Sequence, residues 1–396
     1  MKKIGIFVDC DGWGVYVFTK QLVRELSKLN LYEIHIITHV ASSDSETAAI
    51  KELATIADEM HFIPRSQNYL DVLENIYSVL MHVKFDVFIP NYRQPTYAAA
   101  AKLSLTNART KAIGICHGND SSSYGILSRY ERVIDTFVCI SSVTYEALKS
   151  SIPQRADDIH YIPHGISGLE GSSCTFTGGL LKVVYIGRLT ETPKKVSYIL
   201  KLAAELRTRS IPVNFSIVGD GPDAENYKST VDTMGLSNYV EFLGYKEWPD
   251  AMRIAQNCHV SILTSEHEGF CYGLAEAMGM GLPAVAFSCG GVVEQYLKDG
   301  INGYVVPWGN ISLMADRIVE LYNNPEKLRV FSAEARNVIA RQYSIKSFAD
   351  NYVKLIDSTL HKRHHHKPWP RMRPVIAERN IGTKMLEKLG GCFGLW

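Results

Sequence analysis

An alternation of short apolar runs with helix-period segments, begun twice, constrains this chain more than any other feature. Residues 3–8 (KIGIFV) are nearly all apolar, as in a strand buried on both faces, and 15–29 then carries Val15, Phe18, Leu22, Val23 and Leu26 at helical spacing. The pattern continues with strand-like 34–38, helical 45–57, strand-like 59–63, helical 70–83 and strand-like 86–90, and further strands are expected at 111–116, 136–140 and 159–162. Such alternation predicts right-handed βαβ units and a parallel sheet between helical layers. Residues 163–179 hold five glycines and no apolar period, so they read as a linker. Strands then resume at 181–186, 213–218, 239–243, 259–264, 283–287 and 302–306, with helices at 196–206, 223–234, 249–257, 273–280, 291–298, 310–322, 325–341 and 345–360. The expected fold is α/β, two Rossmann-like domains (1–168 and 175–344) facing each other across a cleft, with helix 345–360 packing back towards the first and a basic tail at 361–396.

Composition narrows the function classes. In 396 residues, 46% are apolar and 21% charged, which suits folded domains and excludes disordered or coiled-coil chains. The formal charge is +1, but 361–396 holds eight Lys/Arg against two Glu, a net of +6, so residues 1–360 carry −5. No global field draws the chain to nucleic acid, and none is expected as a partner. The cysteines, Cys10, Cys116, Cys139, Cys174, Cys258, Cys271, Cys289 and Cys392, form no C-x-x-C pair and no zinc-type group, which fits a reducing cytoplasm. The apolar stretch Ile4–Val8 ends at Asp9, too short for a signal peptide core, and no apolar run is long enough to span a bilayer.

The most informative segment is 261–284, where a strand ends near Thr264, a loop carries Glu268-Gly269-Phe270-Cys271-Tyr272, and a helix starts near Gly273. A helix N-terminus offers unpaired amides and a positive dipole end to an anion, above all a phosphate. Glu268 and Glu276 flank that point as acceptors for ribose and sugar hydroxyls, or else Glu276 is an ordinary first-turn acid and Glu268 a solvated one. Balancing cations stand at Arg188, at the end of strand 181–186, and at Lys194-Lys195, where the next helix opens; Lys194 has the better offset. Gly12 and Gly14 after the first strand form G-x-G without the third glycine of a dinucleotide fingerprint, and suit a loop roofing a phosphate. Asp9-Cys10-Asp11 is formally a D-x-D, read as a loop entrance and not as a metal site. His117 ends strand 111–116 and points into the cleft, either to a sugar or as a structural histidine. Polar segments 91–96 and 119–125 read as loops suited to a hydroxylated ligand, and Gly219-Asp220-Gly221-Pro222 as a turn.

In order, these segments resemble the retaining glycosyltransferases of family 4, of GT-B architecture. The likeness runs from Gly12 to Gly303 and includes Cys116-His117-Gly118, Ile162-Pro163-His164-Gly165, Gly187-Arg188-Leu189 with Lys194, Glu268-x7-Glu276, Gly281-x-Pro283 and Gly290-Gly291-x-x-Glu294. The resemblance implies a nucleotide-sugar donor, UDP-sugar on family frequency, bound as substrate and not as cofactor. It implies that Arg188 and Lys194 neutralise the diphosphate, Glu276 holds the ribose, Glu268 and the backbone of Gly269, Phe270 and Cys271 fix the sugar, and His117 lies near the reacting centre. Front-face displacement onto an acceptor hydroxyl follows, with no divalent metal needed at the diphosphate. Cys271 and Tyr272 depart from the family's usual glycine and aliphatic residue, and are expected to narrow the sugar pocket. A catalytically silent partner subunit and a sugar-nucleotide epimerase remain as alternatives. For the tail, with Trp369 and Phe393-Gly394-Leu395-Trp396, two readings stay open: peripheral contact with the inner membrane face, or a segment that folds back or stays unfolded.

Overall fold

The computed structural model describes residues 1–10, 14–106, 109–167 and 176–362. Gly12 and the tail beyond Lys362 lie outside the described residues. In chain order the first half gives β1 (Lys2–Phe7), α1 (Gly14–Lys28), β2 (Tyr32–His39), α2 (Asp44–Ala54), β3 (Glu59–Ile63), α3 (Tyr69–Val83), β4 (Val87–Ile89), α4 (Gln94–Ser104), β5 (Lys111–Cys116), α5 (Ser121–Arg129), β6 (Thr136–Cys139), α6 (Ser142–Ser151) and β7 (Ile159–Tyr161). The second gives β8 (Leu181–Ile186), α7 (Ser197–Thr208), β9 (Val213–Val218), α8 (Ala224–Thr233), β10 (Val240–Gly244), α9 (Trp248–Gln256), β11 (Val260–Leu263), α10 (Tyr272–Gly279), β12 (Ala284–Phe287), β13 (Gly303–Val306), α11 (Ile311–Asn323), α12 (Pro325–Gln342) and α13 (Ile345–His361).

Each half is one parallel sheet, ordered β3-β2-β1-β4-β5-β6-β7 and β10-β9-β8-β11-β12-β13. Helices cover both faces, so the central strands are apolar throughout; β5 and β11 have no exposed residue. In both sheets the chain winds outward from one central strand, then crosses to its other side. The reversal falls between β1 and β4 in the first sheet and between β8 and β11 in the second. At such a switch point the loops leave in opposite directions and open a crevice at the strands' carboxyl ends.

Four segments depart from the sequence expectation. Residues 94–96 and 121–125 are helical, opening α4 and α5. Asp120 caps α5 by accepting from the Ser123 amide, and α4 is buried along Tyr97–Ala101, so its polar start and unbroken alanines hide the helical period. Segment 291–298 is no helix but a short turn at Val293–Gln295. Buried Asn302 ends it, its side chain donating to the Tyr296 carbonyl and accepting from the Lys298 amide. The supposed linker begins as packed chain: the Ile166 amide donates to the Tyr343 carbonyl at 2.7 Å, and His164 is buried.

Helix α13 returns to the first domain. Tyr32 donates to Asp357 at 3.1 Å, Thr136 and Thr359 hydroxyls meet at 2.9 Å, and Lys362 reaches Asp158 at 2.8 Å. Phe18 of α1, fully buried, packs against Phe348 and Tyr352 of α13 and also against His117 and His164. No helix among the described residues is long and apolar enough to cross a membrane. Truncating Phe18 removes the ring shared by both halves, so Phe18→Ala is expected to lower unfolding free energy by about 3–5 kcal/mol, read by chemical denaturation, with Phe18→Leu losing less than half of that.

Candidate active site

The site is built where loops from both switch points meet. After β8 the chain turns at Gly187-Arg188-Leu189, and main chain from two other loops presses onto this turn. A Cβ on Gly219 would stand 1.9 Å from the Gly187 carbonyl, one on Gly221 2.3 Å from the Leu189 carbonyl, and one on Gly273 2.4 Å from the Ile186 carbonyl. The Leu189 amide donates to the Asp220 carbonyl at 2.9 Å. The Gly219–Pro222 segment, read from sequence as a turn, is thus the floor that holds Arg188 at the cleft edge. Arg188 is exposed, and its carbonyl accepts from the buried Tyr185 hydroxyl at 3.0 Å.

Lys194 and Glu268, assigned separate roles in the sequence, form one ion pair. Lys194 Nζ lies 2.7 Å from Glu268 Oε1, with the side chains 22% and 7% exposed. The Ser265 hydroxyl donates to the same oxygen at 2.6 Å, and Thr264 donates to the Lys194 carbonyl at 3.1 Å. Burial works against the ammonium, but the Glu268 charge outweighs it and holds Lys194 above the ordinary lysine range. Lys195 instead has a left-handed backbone and stands 3.9 Å from both Glu191 and Glu266.

Helix α10 begins at Cys271, which holds φ +68° and caps no amide with its side chain. A left-handed non-glycine residue costs about 1–2 kcal/mol. The start of a helix offers backbone amides and a positive dipole end to an anion. Burial pushes the Cys271 thiol up to about 12. The side chains of Phe270 and Tyr272 do not wall an open sugar pocket. Phe270 sits among His164, Tyr296 and Tyr343, and Tyr272 stacks on His164 at 4.8 Å. Stacking and burial draw both rings inward, and the Phe270 carbonyl accepts from the buried Tyr296 hydroxyl at 2.5 Å.

Glu276, one turn into α10, is 6% exposed and accepts from the Trp248 indole at 2.9 Å. Burial outweighs the Trp248 hydrogen bond and the Lys20 charge and pushes its carboxyl up to about 7. Across the cleft, His117 Nε2 lies 3.0 Å from Asn91 Oδ1. The Asn91 amide nitrogen donates to the Phe7 carbonyl and to Thr19, so Oδ1 is the acceptor and His117 carries its proton on Nε2. Burial pulls His117 down to about 3, which keeps it neutral. A Cβ on Gly269 would come 2.0 Å from the His117 carbonyl, so the domains touch here through main chain. Gly14 opens α1, with open space where its Cβ would be. Asp9 pairs with Arg93 and accepts from Tyr92. His164, stacked over Tyr272 and edge-on to Phe270, was visible in the sequence only as part of Ile162-Pro163-His164-Gly165 and was given no role there.

Comparison with known proteins agrees with this architecture half by half. The family model "Glycosyltransferase Family 4" matches residues 14–167, and "Glycosyl transferases group 1" matches 175–338. The chain belongs to the GT-B glycosyltransferases of the group 1/family 4 type. Among curated relatives of this family, the poly(ribitol-phosphate) alpha-N-acetylglucosaminyltransferase of Staphylococcus aureus is 28% identical over 44% of the chain and 35% of its own length. The poly(glycerol-phosphate) alpha-glucosyltransferase of Bacillus subtilis is 28% identical over 61% of the chain and 36% of its own length. The match thus spans about a third of each relative. Anabaena HepE, solved in complex with UDP-glucose, superposes with a TM-score of 0.75 at 17% identity, covering 90% of this chain and 100% of its own.

Two outcomes follow for this GT-B site. Gly269→Ala forces a methyl into the His117 carbonyl, so domain closure is expected to fail and donor affinity to fall at least tenfold by calorimetry, with the fold retained. For Glu276, the folded state holds its proton more tightly than the unfolded state does. Its stability contribution is therefore full below the usual glutamate value and lost as pH rises to about 7. Glu276→Gln removes that loss and keeps an acceptor for Trp248. It is expected to be more stable than wild type at pH 8, by roughly 1–3 kcal/mol in urea unfolding, and no more stable at pH 4.

Proposed function

We propose that the protein is a retaining glycosyltransferase that moves a sugar from a nucleotide diphosphate sugar, with UDP-sugar the preferred donor, to a hydroxyl of a glycan, lipid-linked or small-molecule acceptor. The observation that carries this reading is the convergence of Arg188, the Lys194–Glu268 pair and the N-terminus of α10 at the second switch point. One ammonium proton of Lys194 goes to Glu268, and the others are available to a phosphate oxygen. Arg188 supplies the second cation. These groups stabilise charge as it develops on the departing nucleoside diphosphate, the largest lever such a site has.

The bond from the anomeric carbon to the phosphate oxygen breaks on the face where the acceptor oxygen bonds. The acceptor's proton passes to the leaving phosphate oxygen. This route needs no protein base, and the groups nearest the cleft are already committed: Glu268 to Lys194 and Ser265, Asp9 to Arg93 and Tyr92, His117 to Asn91. With two fixed cations and helix amides at the phosphates, we propose transfer without a divalent metal there. The relatives named for glucosyl and N-acetylglucosaminyl transfer, and HepE with UDP-glucose, support a UDP-hexose.

The test is nucleotide release from UDP-, GDP- and ADP-sugars with and without hydroxylated acceptors, and with EDTA. Acceptor-dependent UDP release insensitive to EDTA is expected, whereas an epimerase converts the donor without acceptor and a silent subunit binds it unchanged. Arg188→Ala is expected to lower kcat about 100–1,000-fold, and Glu268→Gln at least about 100-fold, with circular dichroism unaltered. Full activity in both variants overturns the site.

A further inference from the structure

The first sheet carries a second group of chemistry-bearing side chains at the end away from the cleft, for which sugar transfer has no use. β2 and β3 run parallel with His35 opposite Glu59 and Ile37 opposite His61. His35 Nδ1 lies 2.9 Å from His61 Nε2 and 3.3 Å from Glu59 Oε2, and one ligand atom from each residue falls within 4.8 Å of the others.

Two observations separate this group from a chance surface cluster. His35 is fully buried, and its other nitrogen, Nε2, lies 2.9 Å from Glu33 Oε1. A carboxylate behind an imidazole fixes the ring and its tautomer, the arrangement that recurs behind metal-bound histidines. With Nε2–H donated to Glu33, His35 Nδ1 presents a lone pair to His61 and Glu59. Phe85 meets both imidazoles edge-on, at 5.3 and 6.2 Å, and the two rings lie within 4° of parallel. The surrounding charges are mixed. Lys3 lies 3.2 Å from Glu33 and so offsets that carboxylate, while the Glu59 side chain, 56% exposed, remains as an anionic ligand.

We infer that His35 Nδ1, His61 Nε2 and the Glu59 carboxylate form a site for a zinc-class divalent cation that clamps the edge strand β3 to β2, with a structural and not a catalytic role. Two imidazoles and one carboxylate suit zinc over magnesium or calcium. Zinc–nitrogen bonds of about 2.0–2.1 Å at tetrahedral angles place ligand atoms about 3.3 Å apart. The His35–Glu59 separation already has that value, and the His35–His61 pair opens by a few tenths of an ångström as the rings tilt. The cation takes the place of the proton between the rings, and His61 moves that proton from Nε2 to Nδ1. His61 and Glu59, with side chains 15% and 56% exposed, have the freedom to adjust.

Chelator-stripped full-length chain is titrated with zinc chloride by calorimetry, and cobalt(II) spectra report the coordination. The tail contains three consecutive histidines, His364, His365 and His366, whose imidazoles compete for zinc in a titration, so a form with all three changed to Ala runs in parallel. That form is expected to keep one tight zinc. His61→Gln and Glu59→Gln, made in that background, should each bind at least 100-fold more weakly, and Glu33→Gln about 10–100-fold more weakly. The Glu59 change is at an exposed side chain, so its result stands even if the His61 variant folds poorly. Zinc binding that vanishes with the tail histidines, that survives Glu59→Gln unchanged, or that magnesium matches overturns the site.

Discussion

A methyl group on Gly269 would lie 2.0 Å from the His117 carbonyl oxygen, so at the centre of the cleft the two domains meet with no side chain between them. The same condition holds within the second domain, where Gly219 faces the Gly187 carbonyl and Gly273 the Ile186 carbonyl at distances no Cβ tolerates. Glycine is the one residue that lets separate loops stack main chain on main chain. Loops stacked this way have little room to move. Arg188 and Lys194 therefore leave from a rigid floor, which is what fixed charges need if they are to favour a transition state over a ground state.

The charges on that floor divide by their partners. Lys194 and Glu268 form a shielded pair, and removing either leaves a buried charge uncompensated. Glu276 has a neutral indole for a partner, and burial raises its carboxyl to about 7. Two acids eight residues apart thus meet different environments, one paired with an ammonium and one buried against an indole.

The periodicity of the chain carried most of the fold: the strands of both sheets fall within a residue or two of where apolar runs lie, because parallel strands covered on both faces must be apolar throughout. What escaped was of two kinds. Helix α4 was hidden by alanines buried on every side, which carry no period, and α5 by its serine-rich start. Contacts between distant segments leave no mark on spacing. The Lys194–Glu268 pair joins residues 74 apart in sequence, and the His35–His61 pair lies on two strands, not in a local ligand motif. Cys271 and Tyr272 read from the sequence as narrowing the sugar pocket, yet packing against His164 turns the Tyr272 ring inward.

The chain crosses between the domains twice, and the crossings lie side by side. Ile166 pairs with Ser344, and the Ile166 amide donates to the Tyr343 carbonyl, just before α13 returns along α1. A Cβ on Gly165 would meet the Ile345 main chain at 2.9 Å, so this junction is also packed backbone to backbone. The domains are joined at further points besides the paired crossings and the Gly269–His117 contact: the Ser142 amide donates to Gln295 Oε1 at 2.8 Å, and His164 stacks on Tyr272. Phe18, packed against α13 on one side and His117 and His164 on the other, therefore links the helix that returns to the first domain with the residues beside the main-chain contact in the cleft.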